Sequence, residues 1–415
     1  FGALGAAVAG IAARIADLPG GDTKPTGGEV GTDSGARTGA LLPTVSRPGA
    51  IGGPTRQPRW SQTVDDSVQI ITAADGALLV AGSRLASLDA ATGTPRWSTP
   101  KDKLRRNDIW SGYLPVDGGT VYEQSSGVGD LVALSAKDGT QTWSAPPPSG
   151  WYPGGLVGAS ADLVVLWAST TGGATTDRPG LWAADPKREA PTWSAALDAF
   201  EGVPYYNRAA KLVVVSRPKS AQLAAYRADD GGQAAWTATD PADTGGTGQG
   251  SAFATAVSGY GTTTYWATNR LYALDENGKH IWPVGLTDSG DNGAFHAVAA
   301  DADTVYAAVS VTFGADVIVA YKASDGAPKW RAAWPKEFHN PSLECELALG
   351  AGNLYIVDRY SQTLVALDAA TGDTVWQYHD PNPGKGDGSD DWRVAADDSH
   401  VYIAYGTTVR AFTAK

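Results

Sequence analysis

Apolar positions alternate with small or polar ones through Leu364, Val365, Ala366 and Leu367, stop at Asp368-Ala-Ala-Thr-Gly372, and resume at Thr374-Val-Trp376. A period of two sends successive side chains to opposite faces, so the stretch predicts a β-hairpin. Nearly the same stretch, RLASLDAATGTPRW, ends at Trp97. The pattern recurs in seven complete copies, ending at Trp97, Trp143, Trp193, Trp236, Trp282, Trp330 and Trp376, at intervals of 46, 50, 43, 46, 48 and 46 residues. That interval is the length of one four-stranded propeller blade. The turn chemistry agrees. Asp89 or Asp368 can accept backbone N–H bonds across the turn, and Gly93 or Gly372 can take the positive φ of a tight, bulged hairpin.

Two more strand-like runs precede each hairpin, as in VQIITAAD and GALLVAGS before Arg84, and in ELALGAG and NLYIVDRY before Leu364. Each unit therefore reads as strands A to D, with Trp on D. After Trp376 the runs WRVAADDS, HVYIAYGT and TVRAFTAK supply strands A, B and C of a further blade, and the chain stops at Lys415. The missing D strand is PRWSQTV, where Trp60 stands 37 residues before Trp97. The expected fold is all-β: an eight-bladed propeller of four-stranded antiparallel blades, residues 58–415, closed by an N-terminal strand pairing with the C-terminal blade. Such closure removes the exposed edges of an open array.

Composition narrows the function. Gly (51), Trp (15) and Tyr (16) are plentiful, as a β-protein of many short strands requires. The net charge of −12 speaks against a nucleic-acid partner, because phosphate binding needs a dense Lys/Arg surface. Cys345 is the one cysteine, so no intrachain disulfide forms, and its place in LECELALG reads as a buried, inert strand position. The five histidines, His280, His296, His339, His379 and His400, show no metal-ligand spacing, and His280 and His400 fall within strand-like runs. Acidic clusters at Asp288 and Asp291, and at Asp387, Asp390 and Asp391, lack the spacing of a calcium loop. Neither a Gly-x-Ser-x-Gly nor a phosphate-loop motif occurs.

The hairpin A-[LY]-D-x-x-[TD]-G-x-x-x-W, repeated around the chain, resembles the tryptophan-docking repeat of the PQQ-like (quinoprotein-type, BamB-like) β-propellers over about residues 58 to 415. That resemblance implies that Trp60, Trp97, Trp143, Trp193, Trp236, Trp282, Trp330 and Trp376 are blade-docking elements packed between neighbours. It specifies architecture and leaves function open, since members range from redox enzymes to scaffolds. The dehydrogenase members imply PQQ, Ca²⁺ and an adjacent cysteine pair, and the lone Cys345 cannot supply the pair. No cofactor or metal is predicted from the residues; PQQ and Ca²⁺ stay open as an alternative that no motif of the sequence supports.

The D-to-A connections are longer than the hairpin turns and carry Trp110, Tyr113, Trp151, Tyr152, Tyr205, Phe295, Phe338 and Trp392, accompanied by Arg208 and Arg393. Aromatic and Arg residues together have the composition of an interaction hot spot, so these ten form the candidate binding face. Residues 1–18 read as a short apolar helix, the end of a membrane anchor or signal segment, and residues 19–57 as a linker. Between Pro19 and Thr55, 10 of 37 residues are Gly and 5 are Pro. The expected function is a non-catalytic, extracytoplasmic, membrane-tethered scaffold with a protein partner at the cell envelope. The alternatives are a PQQ-dependent oxidoreductase or other enzyme using the funnel, and the sensor domain of a membrane receptor.

Overall fold

A computed structural model describes residues 54–101, 103–104, 114–126, 129–170, 178–197, 204–217, 222–240, 256–268, 270–285, 293–311, 317–333, 345–358, 362–380 and 392–415. Residues 1–53, with the helix and most of the linker read from the sequence, lie outside them. The described residues form 32 strands in eight four-stranded antiparallel sheets, and no helix.

The chain first lays down β1 (Trp60–Thr63). Blade 1 follows with β2 (Ile70–Ala74), β3 (Ala77–Ala81), β4 (Leu85–Asp89) and β5 (Pro95–Ser98). Blade 2 holds β6 (Val116–Asp117), β7 (Thr120–Gln124), β8 (Leu131–Ser135) and β9 (Gln141–Ala145). Blade 3 holds β10 (Trp151–Ser160), β11 (Leu163–Thr170), β12 (Pro179–Asp185) and β13 (Ala190–Ala196). Blade 4 holds β14 (Tyr205–Asn207), β15 (Leu212–Arg217), β16 (Gln222–Arg227) and β17 (Ala234–Thr239). Blade 5 holds β18 (Ala256–Tyr260), β19 (Thr263–Ala267), β20 (Arg270–Leu274) and β21 (His280–Gly285). Blade 6 holds β22 (Gly293–Ala300), β23 (Thr304–Val311), β24 (Val317–Lys322) and β25 (Pro328–Ala333). Blade 7 holds β26 (Cys345–Gly350), β27 (Asn353–Asp358), β28 (Thr363–Asp368) and β29 (Thr374–His379). Blade 8 holds β30 (Arg393–Ala396), β31 (His400–Tyr405) and β32 (Thr408–Thr413), and β1 completes it by pairing with β32 from Trp60↔Ala411 to Thr63↔Thr408. The ring closes as the sequence predicts.

First strands of neighbouring blades approach one another around the ring, so the A strands face the axis. Each sheet is covered on both faces, which explains why the inner strands are buried throughout rather than alternately, as in the fully buried ALLVA of β3. Alternate residues serve opposite seams: Leu78 and Val80 pack toward blade 8, Leu79 toward blade 2. The core is thus a set of seams, and burying a side chain such as Leu79 contributes about 2 kcal/mol. Outer strands have one open face and alternate, as in the WSQT of β1.

The hairpins are locked as their turn residues predict. Asp89 Oδ1 accepts the N–H groups of Ala91 and Thr92, and Asp368 Oδ1 those of Ala370 and Thr371. Six indoles lie against the turn glycine of the following blade: Trp60 on Gly93, Trp97 on Gly139, Trp193 on Gly232, Trp236 on Gly278, Trp282 on Gly326 and Trp330 on Gly372. Each donates its Nε1–H to a carbonyl of that turn, as Trp97 does to Ala136 at 2.9 Å and Trp193 to Ala228 at 2.8 Å. In blade 3 the turn has Glu189, at φ 55°, where the others have Gly. Trp376 has no such turn to meet, because the outer strand of blade 8 is β1 and no hairpin joins it to β32. Arg56 replaces it: its guanidinium lies 4.7 Å from the Trp376 ring and donates to the carbonyls of Thr413 and Lys415 at 2.7 and 3.0 Å. Beside it Thr55 forms a parallel bridge with Gln377, so attachment begins at Pro54, where the sequence reading placed linker through residue 57.

Opposite each blade Trp, strand C carries Ala133, Ala183, Ala225, Ala273, Ala320, Ala366 or Ala411, and in blade 1 alone Ser87. Ser87 is fully buried and its hydroxyl finds no partner among the described residues. A buried hydroxyl without a partner destabilises by about 1 kcal/mol. Ser87→Ala is therefore expected to stabilise the protein by that amount, read as a higher urea midpoint; an unchanged or lower midpoint would show that the hydroxyl is satisfied.

Candidate functional site

The turns joining strands A and B gather at one end of the axis and enclose a cavity of about 400 Å³. Its wall includes Asp75 from blade 1, Asp117 from blade 2, Arg208 from blade 4, Tyr260 from blade 5, Asp301 from blade 6, Asn353 from blade 7, and Asp397 and Asp398 from blade 8. Five carboxylates face one guanidinium. Arg208 is paired with Asp117, so this ion pair reaches from blade 4 to blade 2 past blade 3.

Two of the carboxylates are committed to their own turns. Asp301 Oδ1 accepts the N–H groups of Asp303 and Thr304, and its Oδ2 accepts the Tyr306 hydroxyl at 3.0 Å. Asp397 repeats this with Ser399, His400 and Tyr402. In blade 7 Gly350 stands where the other two turns have the acid, and the Asn353 side-chain amide and the Tyr355 hydroxyl both donate to the Ala414 carbonyl at 2.7 Å. Burial, and then the neighbouring Asp397, pushes the Tyr402 hydroxyl far above its usual range. Burial, and then Asp117, pushes Tyr122 up to about 12. These phenols stay protonated donors at any physiological pH. Tyr260 is 42% exposed and stands at the mouth. The remaining acids give the mouth a negative potential that repels anions and favours a cationic or hydrogen-bond-donating group.

Seven of the ten residues of the candidate face are described, and those seven do not form one surface. Trp110, Tyr113 and Phe338 lie outside the described residues. Tyr152, at 62% exposure, is open to solvent, while Trp151 beside it is half-buried against Gly180. Tyr205 is half-buried in β14 and donates to the Gly259 carbonyl. Phe295 is fully buried in the seam between blades 5 and 6, which turns it away from any ligand. Trp392 is 2% exposed and stacks on Tyr405 at 5.4 Å. Arg393 is ion-paired with Glu346 at 2.5 Å. Arg208 sits in an A–B turn, hence at the cavity and at the opposite end from the D-to-A connections.

Cys345 is 1% exposed on the innermost strand of blade 7. Among the described residues no three His, Cys, Asp or Glu side chains form a metal-ligand set, and the acidic clusters at 288–291 and 387–391 lie outside them. Among the described residues the single thiol is buried, and Asp301 and Asp397 of the cavity wall are engaged by their own turns.

Eight four-stranded blades, ring closure by β1 and an indole docked on the next blade's turn define a PQQ-like β-propeller. The family model described as "Outer membrane protein assembly factor BamB" matches residues 49–150 and 267–415, more than half of the chain, and the chain belongs to this family. The internal unmatched stretch, 151–266, covers blades 3 and 4 and runs into strand B of blade 5; in blade 3 Glu189 replaces the turn glycine, and strand B of blades 3 and 4 lacks the tyrosine found in blades 2, 5, 6, 7 and 8. Among solved structures, BamB from Moraxella catarrhalis aligns with a TM-score of 0.57 at 14% identity, covering 86% of this chain and 100% of that one. Quinohemoprotein alcohol dehydrogenase ADHIIG from Pseudomonas putida HK5 aligns at 0.57 and 12%, covering 87% and 76%. Sqt1 from Saccharomyces cerevisiae aligns at 0.56 and 11%, covering 87% and 99%. At such identities the likeness concerns the fold alone. No curated protein matches the chain.

Proposed function

We propose that this protein is a non-catalytic scaffold of the cell envelope that docks a protein partner on the face carrying the A–B turns. Membership in the assembly-factor family is the observation that carries this reading. Rigid blades support it, because a preformed surface loses little entropy on binding. The extracytoplasmic location follows the same family, and residues 1–53 would provide the tether. The exposed Tyr260 and the acidic rim offer an anchor and a surrounding field.

The test is cross-linking and capture of the intact protein from its native membranes, beside Tyr260→Ala/Asp398→Asn and, on the other face, Tyr152→Ala. A partner retained by wild type and Tyr152→Ala, and reduced at least about tenfold by the double variant, is expected if the anchor contributes 1–2 kcal/mol. A protein that remains uncross-linked, or loses its partner only with Tyr152→Ala, contradicts this placement. Co-purification of a quinone absorbance would instead favour an enzyme.

A further inference from the structure

The seam between blades 8 and 1 is incompletely filled. A groove of about 250 Å³ opens there, its walls including Val64, Val68, Val80, Ala86, Leu88 and Arg96. The repeat itself shows why. In every blade, two alternate residues of strand C point toward the preceding blade. They are Ala86 and Leu88 in blade 1, Val132 and Leu134 in blade 2, and Trp182 and Ala184 in blade 3. Blade 4 has Ala224 and Tyr226, blade 5 Tyr272 and Leu274, blade 6 Val319 and Tyr321, blade 7 Val365 and Leu367, and blade 8 Arg410 and Phe412. The Ala86–Leu88 pair is the smallest of the eight. At the position of Ala86, Val132, Trp182, Ala224, Tyr272, Val319, Val365 and Arg410 are all buried, whereas Ala86 is not.

The chain's own side chains show what this space accepts. The indole of Trp182 fills the equivalent position between blades 2 and 3, and the phenol of Tyr272 fills it between blades 4 and 5. The planar guanidinium of Arg410 fills it between blades 7 and 8, where it pairs with Asp380 at 2.7 Å. At blade 1 each charge around the groove is already engaged: Arg84 with Asp65 at 3.1 Å, Arg96 with Asp89 at 2.7 Å, and Asp66, whose Oδ2 accepts the Ser83 N–H at 2.7 Å. An uncharged guest is therefore favoured over an ion.

We propose that this groove is a binding site for a small, neutral, planar aromatic molecule of indole or phenol size. The site is separate from the axial cavity and does not depend on the scaffold function. Apolar cavities of roughly 150 Å³ hold one benzene ring, so the space suits a fused ring.

The test is a titration of the full chain with 5-fluoroindole, followed by ¹⁹F line broadening, beside Ala86→Trp and Ala86→Tyr, which copy blades 3 and 5. Wild type is expected to bind saturably, with Kd on the order of 0.1–1 mM for a ligand of this size. The filled variants are expected to bind at least about tenfold more weakly, and to melt no lower than wild type because the new ring occupies existing space. Either variant suffices should the other fail to fold. Absence of saturable binding to wild type, or equal binding by a folded variant, overturns the proposal.

Discussion

Gly139→Ala is expected to destabilise the protein by about 3 kcal/mol, and Gly231→Ala by only about 1 kcal/mol. Both glycines take a left-handed φ, +72° and +66°, where any Cβ meets its own chain. That shared backbone term is about 1 kcal/mol. The difference lies in the neighbours. A Cβ on Gly231 would find nothing within 4 Å, whereas one on Gly139 would stand 2.5 Å from Cε3 and 2.7 Å from Cδ2 of Trp97. The indole must then lift, losing ring contact and its 2.9 Å hydrogen bond to Ala136. Urea denaturation of the two variants gives the comparison. In a Trp97→Ala background the Gly139 substitution should fall to the Gly231 value, since the group it strikes is gone. Equal effects in the wild-type background would mean that Trp97 is not held by this turn.

This contact was half legible in the sequence. The hairpin period, the Asp and Gly of the turn and the spacing of the Trp residues are local properties, and they led directly to eight blades and to the pairing of β1 with β32. The tyrosine of strand B went unread, although TVY at Thr120–Tyr122 and again at Thr304–Tyr306 recurs as regularly as the Trp. Its ring meets the Trp of its own blade, at 6.1 Å for Tyr122 and Trp143 and 5.9 Å for Tyr306 and Trp330. Arg56 was hidden for another reason. It sits in a stretch with linker composition, and only the missing turn of blade 8 gives it a partner.

The site was less legible because hot-spot composition does not say which way a side chain turns. Phe295 and Trp392 begin strands, and the first turn of a strand can be core as readily as rim. The cavity arises instead from short acidic turns, AADG at 73–76, VDGG at 116–119 and ADDS at 396–399, which resemble any solvated turn until the ring brings them together.

Acidification from pH 6.5 to 4 is expected to remove roughly 3 kcal/mol of stability through His296. This residue is 3% exposed, at the irregularity in β22 between Phe295 and Ala297. Burial holds its imidazole down at about 4, against an ordinary 6.5, because the charged form would lose its hydration. A depressed histidine means that the unfolded chain binds the proton more readily, so stability rises with pH wherever the two states differ. The contribution is complete above 6.5 and is lost as pH falls toward 4, at about 1.4 kcal/mol per pH unit separating the two values. His280 is lowered by burial as well and acts in the same direction. Asp89 works in a lower window: its hydrogen bond from Arg96 holds it at about 2, so its share disappears only as pH falls from 3.8 toward 2. Urea midpoints at pH 7, 5.5 and 4.5 should therefore decline steadily in wild type and much less in His296→Gln, which keeps a similar volume without a titrating group. Parallel declines in the two proteins would mean that His296 ionises in place, with water reaching the seam between blades 5 and 6.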